Sequence, residues 1–296
     1  MDKSELTGLV AQSIVEAVKS MPEIMPYLNG TARWVAEVYA FKLGEAPDDA
    51  QRLHDELIVE GRVTEYLLEQ LSRIISEIRM RGAGIPLSFW ERELVLLWED
   101  MSKEFIGILV HGTQGGYSLI PPGVRGLVNE LRARMTLVDY ARQYRDTWLS
   151  YINETTRDFV MNSILKWQQS GEPFEELIKI LSDPELGIFD ERRARLIAST
   201  EVTRLHAYGN YAIWKDTGYI KEFRWNTAND EKVCVICGPR NYKTYPLEYL
   251  RPLEEDEERD IQMPAHPRCR CWATPVIDYD LITQFDITLE EGERVQ

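Results

Sequence analysis

The sequence predicts an α+β fold that is predominantly α-helical. An N-terminal helical bundle is followed by a C-terminal domain of helices and a small β region built around a Cys/His cluster. Three observations predict it. Apolar residues recur at helical spacing over most of the first 217 positions. Period-two alternation is confined to short stretches near Phe223 and after Cys269. All four cysteines fall between Cys234 and Cys271, where His266 joins them. The order reads as a helical region over 1–110, a Gly/Pro-rich connection over 111–123, a second domain over 124–277 and an acidic tail over 278–296.

The first helix is expected over Ser4–Met21, with Leu6, Leu9, Val10, Ile14 and Val18 on one face and Ser4 as cap. Pro22 ends it, and a short helix over Thr31–Lys42 turns Trp34, Val38 and Phe41 inward. Pro47, Asp48 and Asp49 open a long helix to about Arg81, because proline and acids suit a helix N-terminus. Its positions Leu53, Leu57, Glu60, Thr64, Leu67, Leu71, Ile74 and Ile78 alternate by four and three, the spacing of a buried seam in a bundle. Gly82, Gly84 and Pro86 stop it, and Ser88–Val110 resumes with Trp90, Leu97, Trp98, Phe105 and Ile108.

His111–Gly123 holds four glycines and two prolines and reads as a connection. It matches no phosphate-cradling pattern. Val124–Lys166 is expected to be helical with a break near Ser150. Arg125, Arg132, Arg134, Arg142 and Arg145 make its start the one locally basic surface, read here as a solvated face. Ser170–Pro173 is a turn, Phe174–Leu181 a short helix, and Asp190 caps a largely buried helix over Glu191–Thr217 that Gly218 stops. Lys221–Asn226 and Cys269–Ile277 read as strands.

Cys234 and Cys237 form a C-x-x-C knuckle, and His266, Cys269 and Cys271 read as H-x-x-C and C-x-C. Two close-spaced thiol groups separated by a loop suit a tetrahedral zinc, each short pair gripping the ion from one turn. Five donors are present for a site that takes four, so the expected ligands are four of Cys234, Cys237, His266, Cys269 and Cys271. Buried free thiols and disulfides are the other readings of the same residues. No H-E-x-x-H accompanies them, and Asp230 is the one nearby acid that can serve a hydrolytic metal as base.

Net charge is −15, which argues against bulk adhesion to DNA, since such affinity comes from neutralising phosphates. Seven acids crowd Glu248–Asp260, a solvated loop. No apolar run reaches the ~20 residues of a membrane span, and the first residues lack a signal-peptide core. Four cysteines in one cluster fit a reducing compartment.

The ordered string Thr200-Glu201-x-x-Arg204, Trp225-x-Thr227 with Asp230, Cys234-x-x-Cys237 and Pro264-x-His266-Pro-x-Cys269-Arg-Cys271 resembles the Mu F-like domain of tailed-phage minor head proteins. The resemblance covers roughly 155–277, and the H-P-x-C-R-C ending is its distinctive part. It implies a virion protein made in the host bacterial cytoplasm. Such a protein would act at the portal vertex in procapsid assembly, DNA packaging or genome delivery. The portal and other head proteins would be its partners, packaged DNA at most a weak one, and a membrane none. The first 110 residues would supply a portal or assembly contact.

Two other classes stay open. Relatives of that domain are likened in fold to ADP-ribosyltransferases and fused to toxins, so an enzyme, including a metal-dependent hydrolase, is one. Ser199-Thr200-Glu201 only superficially echoes that chemistry, and Glu201 with Arg204 reads more simply as an intrahelical pair. A zinc-containing nucleic-acid module is the other. The apolar knuckle Val235-Ile236 and the acidic loop speak against it, leaving Arg268 and Arg270 for phosphate.

Overall fold

The computed structural model describes residues 49–82, 84–228, 233–252 and 259–283. The helices expected at Ser4–Met21 and Thr31–Lys42, Asp230, and the tail beyond 283 lie outside the described residues. The architecture is mostly helical with one small antiparallel sheet. Its helices are α1 (Asp49–Arg81), α2 (Leu87–Ser118), α3 (Glu130–Ser170), α4 (Phe174–Leu181), α5 (Glu191–Trp214) and α6 (Tyr279–Thr283). Its strands are β1 (Ile220–Asn226), β2 (Thr244–Pro246) and β3 (Trp272–Ile277).

Packing groups these elements into two units, each assembled from separate stretches of the chain. One gathers the described parts of Met1–Arg52, Ile108–Leu137 and Thr203–Gln296. The other gathers Leu53–Gly107 and Val138–Val202.

The second unit is helical. Along α1 one buried stripe runs through Arg52, Asp55, Val59, Val63, Tyr66, Gln70, Ile74 and Glu77, spaced three, four and four, with Leu67 and Ile78 buried beside it. This departs from the expected seam. Leu53 and Leu57 are 60% and 61% exposed, and the seam is met only from Leu67 through Ile74 to Ile78. A straight helix drifts from a 3.5-residue repeat, so the buried stripe follows its 3.6-residue period and takes in polar side chains. Tyr66 and Gln70 among them make buried hydrogen bonds. The Tyr66 hydroxyl donates to the Glu93 carbonyl at 2.9 Å, Arg73 pairs with Glu93 at 2.8 Å, and Gln70 donates to Asn153 at 3.3 Å. Burial comes first and Glu93 second in pushing the Tyr66 hydroxyl far above its ordinary range. The break expected near Ser150 is absent, and α3 runs unbroken to Ser170. No glycine or proline interrupts it, and hydroxyls such as Thr155 bond the carbonyl four residues back.

The first unit corrects another expectation. Residues 111–118 belong to α2 instead of a connection. Gly112 and Gly116 are there for contact. A Cβ at Gly112 would lie 2.7 Å from His206 Cα, and one at Gly209 of α5 would lie 2.5 Å from the Thr113 nitrogen. The two helix backbones therefore touch where they cross, which small residues alone permit. The Trp214 indole reinforces the crossing by donating to the Gly116 carbonyl at 2.9 Å. The chain turns only after Ser118, where Pro121 and Pro122 lead into a 3-10 turn over Pro122–Leu127. Arg125 is spent on that turn, donating to the carbonyls of Ile120 and Ser118 at 2.8 and 2.7 Å.

Gly218, at φ +81°, ends the turn after α5 and launches β1. The sheet order is β2-β1-β3, antiparallel throughout, with an irregularity between Ile220 and Glu222. Alternation puts Phe223 and Trp225 of β1 on the inner face, both fully buried. With Tyr245 of β2 they form an aromatic cluster with ring centroids 5.8–6.5 Å apart. Cys237, Cys269 and Cys271 belong to the same core as Trp214, Phe223 and Trp225.

Candidate metal centre

The knuckle forms because Cys234 starts a tight turn. Its carbonyl accepts from the Gly238 N–H at 2.9 Å, and its sulfur accepts from the Cys237 N–H at 3.3 Å. An amide aimed at a sulfur favours the thiolate. Burial would raise the Cys234 thiol, but the N–H groups of Cys237 and Ile236 outweigh it and hold the thiol below its ordinary range. The tips, Val235 and Ile236, are 91% and 46% exposed.

The second ligand segment is a turn from His266 to Cys269, closed by the Cys269 N–H donating to the His266 carbonyl at 3.2 Å. Arg268 occupies it at φ +60°, a left-handed conformation uncommon for a side-chain-bearing residue. The His266 ring is oriented by Pro267, whose carbonyl lies 2.7 Å from Nδ1. A carbonyl only accepts, so Nδ1 carries the proton and Nε2 offers its lone pair, the outer-shell arrangement usual for metal-bound histidine. Nε2 lies 3.1 Å from Cys234 Sγ and 3.2 Å from Cys237 Sγ.

All five expected residues are brought together, as two groups of three that share Cys237. Cys234, Cys237 and His266 form one; Cys237, Cys269 and Cys271 form the other; donor atoms within each lie within 4.8 Å of one another. The Cys237 and Cys269 sulfurs are 3.9 Å apart. Ligand sulfurs around a tetrahedral zinc with bonds of about 2.3 Å sit about 3.8 Å apart, so this spacing fits a metal. It is far longer than a disulfide, and all four cysteines are free.

The three inner thiols compete to ionise. Hydrogen bonds from Cys237 and then Cys271 hold the Cys269 thiol far below its usual range, ahead of the burial that opposes it. Cys237, bonded first to Cys269, is driven well up. A hydrogen bond with Cys237 lowers Cys271, but its bond to Cys269 and its burial prevail and push it up to about 12. Cys269 is thus the thiol that ionises most readily, and a dication would let the other two ionise as well. The buried Trp225 indole N–H has no hydrogen-bond partner among the described residues, and it weakly favours the ionised form of Cys271. The donor set therefore fits a bound cation.

A pH dependence follows. Cys237 and Cys271 hold protons through neutrality, so loading must expel them and metal affinity should climb with pH from mildly acidic conditions upward. Chelator competition at pH 6 and pH 8 checks this, and equal affinities would contradict it.

The sequence did not reveal the support behind the cluster. The Thr203 hydroxyl on α5 donates to the Cys269 carbonyl at 2.7 Å and accepts from the Arg52 guanidinium at 2.9 Å. A threonine on a buried helix face and an arginine on a long helix carry no signal of this in one sequence. Glu201, singled out for its place in the helix motif, is buried and accepts from the Tyr144 hydroxyl at 2.7 Å. No helix among the described residues is long and apolar enough to cross a membrane. No family model, curated protein or solved structure matches this chain.

Proposed function

We propose that the Cys/His cluster holds a structural zinc, and that the chain is a minor structural protein of a tailed-phage head, acting at the portal vertex during procapsid assembly, DNA packaging or genome delivery. The observation that carries the zinc reading is the convergence of four N and S donors on a fifth, Cys237, with three of the thiols buried. Soft thiolates with imidazole favour zinc over magnesium or calcium. A three-stranded sheet is too thin to bury a core on its own, so a metal tying Cys234–Cys237 to His266–Cys271 would stabilise it.

The head-protein reading rests on the resemblance of the motif string, and two structural features support a protein partner. Trp225, Cys237, Cys269 and Cys271 of the motif string lie in one core with β1 and β3, and Cys234 packs against it. The knuckle presents Val235 and Ile236 to solvent, which suits an apolar contact better than a phosphate. The arginine face offers DNA little, since Arg125 is bound internally and Arg134 and Arg142 have acidic neighbours at 4.0 and 3.7 Å.

Elemental mass spectrometry on protein purified without a metal-affinity tag, with thiol titration of the same sample, tests the first part. About one zinc per chain with thiols blocked until denaturation is expected. Metal-free protein with all four thiols titratable would overturn it. Co-sedimentation with an assembled portal ring tests the second part, and failure to associate would sink the portal reading while leaving the zinc site standing.

A further inference from the structure

Arg52 poses an electrostatic problem. Its side chain is 6% exposed, and no carboxylate pairs with it among the described residues. Its one hydrogen bond to a side chain goes to the neutral Thr203 hydroxyl, and its Nε has no partner. A guanidinium does not shed its proton in a protein, so burial alone would be strongly unfavourable. A negative charge facing it would offset that cost.

The candidates are visible. Arg52 lines a cavity of about 20 Å³, room for a water, together with Thr203, His206, Asn210 and Cys271. Cys271 belongs to the candidate metal cluster. On its other side, Thr203 relays Arg52 to the carbonyl of Cys269, a second member. A dication bound by three thiolates and an imidazole carries one net negative charge, and one bound by four thiolates carries two. Asp55, three residues on along α1, is also buried, but no ion pair joins it to Arg52, whose hydrogen bond and cavity lead to the cluster.

We infer that Arg52 is the counter-charge of the metal cluster, a positioning residue that stabilises its anionic, metal-loaded form through Thr203 and across the cavity shared with Cys271. This rests on the zinc reading above. The inference has a consequence that a packing role lacks. Without metal, Arg52 is a buried charge with nothing to face, and losing it should help the fold. With metal, losing it should harm both fold and affinity. The sign of the effect reverses with loading.

The test uses full-length protein, wild type, Arg52→Met and Arg52→Lys, with zinc affinity from chelator competition and thermal unfolding of the metal-free and zinc-loaded forms. Arg52→Met should bind zinc about 10–100-fold more weakly, the usual loss when an outer-shell partner goes. It should melt at or above wild type when metal-free and below it when loaded. Arg52→Lys, which keeps the charge, should recover most of the affinity. Equal zinc affinity in Arg52→Met and wild type would overturn the inference, as would equal losses in Met and Lys. If inorganic phosphate or chloride raises the melting temperature of metal-free wild type but not of Arg52→Met, the cavity holds a solvent anion and the inference fails. Wild type that binds no zinc would sink the zinc reading itself, a distinct result.

Discussion

Cys237→Ser is expected to abolish metal binding and to unfold the sheet region, the largest effect of any single substitution here. Cys237 is the one residue common to both groups of donors, so its loss breaks each. It is 3% exposed and packs in the core with Trp214 and Trp225, so the segment gains no solvated alternative. The loss should exceed the ~100-fold that removing an outer-shell partner can cost. Structural zinc sites contribute folding free energy directly, so protease sites should open after Trp214, in the strands and the loops between them. The helices of the second unit, held by their own network around Glu93 and Gln70, should stay resistant. Cys234→Ser and Cys271→Ser each touch one group only, and comparing them identifies the ligand set. Metal retained in Cys271→Ser but lost in Cys234→Ser selects Cys234, Cys237, His266 and Cys269. Undiminished zinc content and unchanged protease resistance in Cys237→Ser would end the structural-metal reading.

What could be read in the chain followed from how local each signal is. The knuckle and the H-x-x-C-x-C turn are short-range patterns, and the structure brings all five donors together. Asp190 is equally local. Its carboxylate accepts from the Arg193 N–H at 2.9 Å, as a helix cap should. The failures are matters of context. A heptad drawn through α1 could not anticipate that Gln70 is buried, because its partner Asn153 lies far along the chain. Arg52 shows the same blindness, since only the fold brings Thr203 and Cys271 to it. In His111–Ser118 the glycines were legible but their purpose was not. A glycine that frees a backbone and one that admits a neighbouring helix look identical in sequence.

That last ambiguity yields the second large prediction. Gly209→Ala should destabilise the protein by about 1–3 kcal/mol, the range for overpacking, or more. The added Cβ would sit 2.5 Å from the Thr113 nitrogen, 2.6 Å from the Gly112 carbonyl carbon and 2.6 Å from the Leu109 carbonyl oxygen. All three are backbone atoms of α2, and none can rotate away as a side chain would. Either α2 and α5 separate or the Trp214–Gly116 hydrogen bond stretches, and both open the core that contains the cysteines. Helix propensity works the other way, since alanine is favoured over glycine by about 1 kcal/mol inside a helix. Gly61 in α1 isolates that opposing effect, because a Cβ there meets nothing within 4 Å. Gly61→Ala should therefore raise the melting temperature while Gly209→Ala lowers it, by roughly 2–4 °C per kcal/mol. Thermal unfolding of the two variants side by side decides the matter. A stabilised Gly209→Ala would mean that the helices cross with a gap, and that the glycines of 111–118 serve flexibility after all.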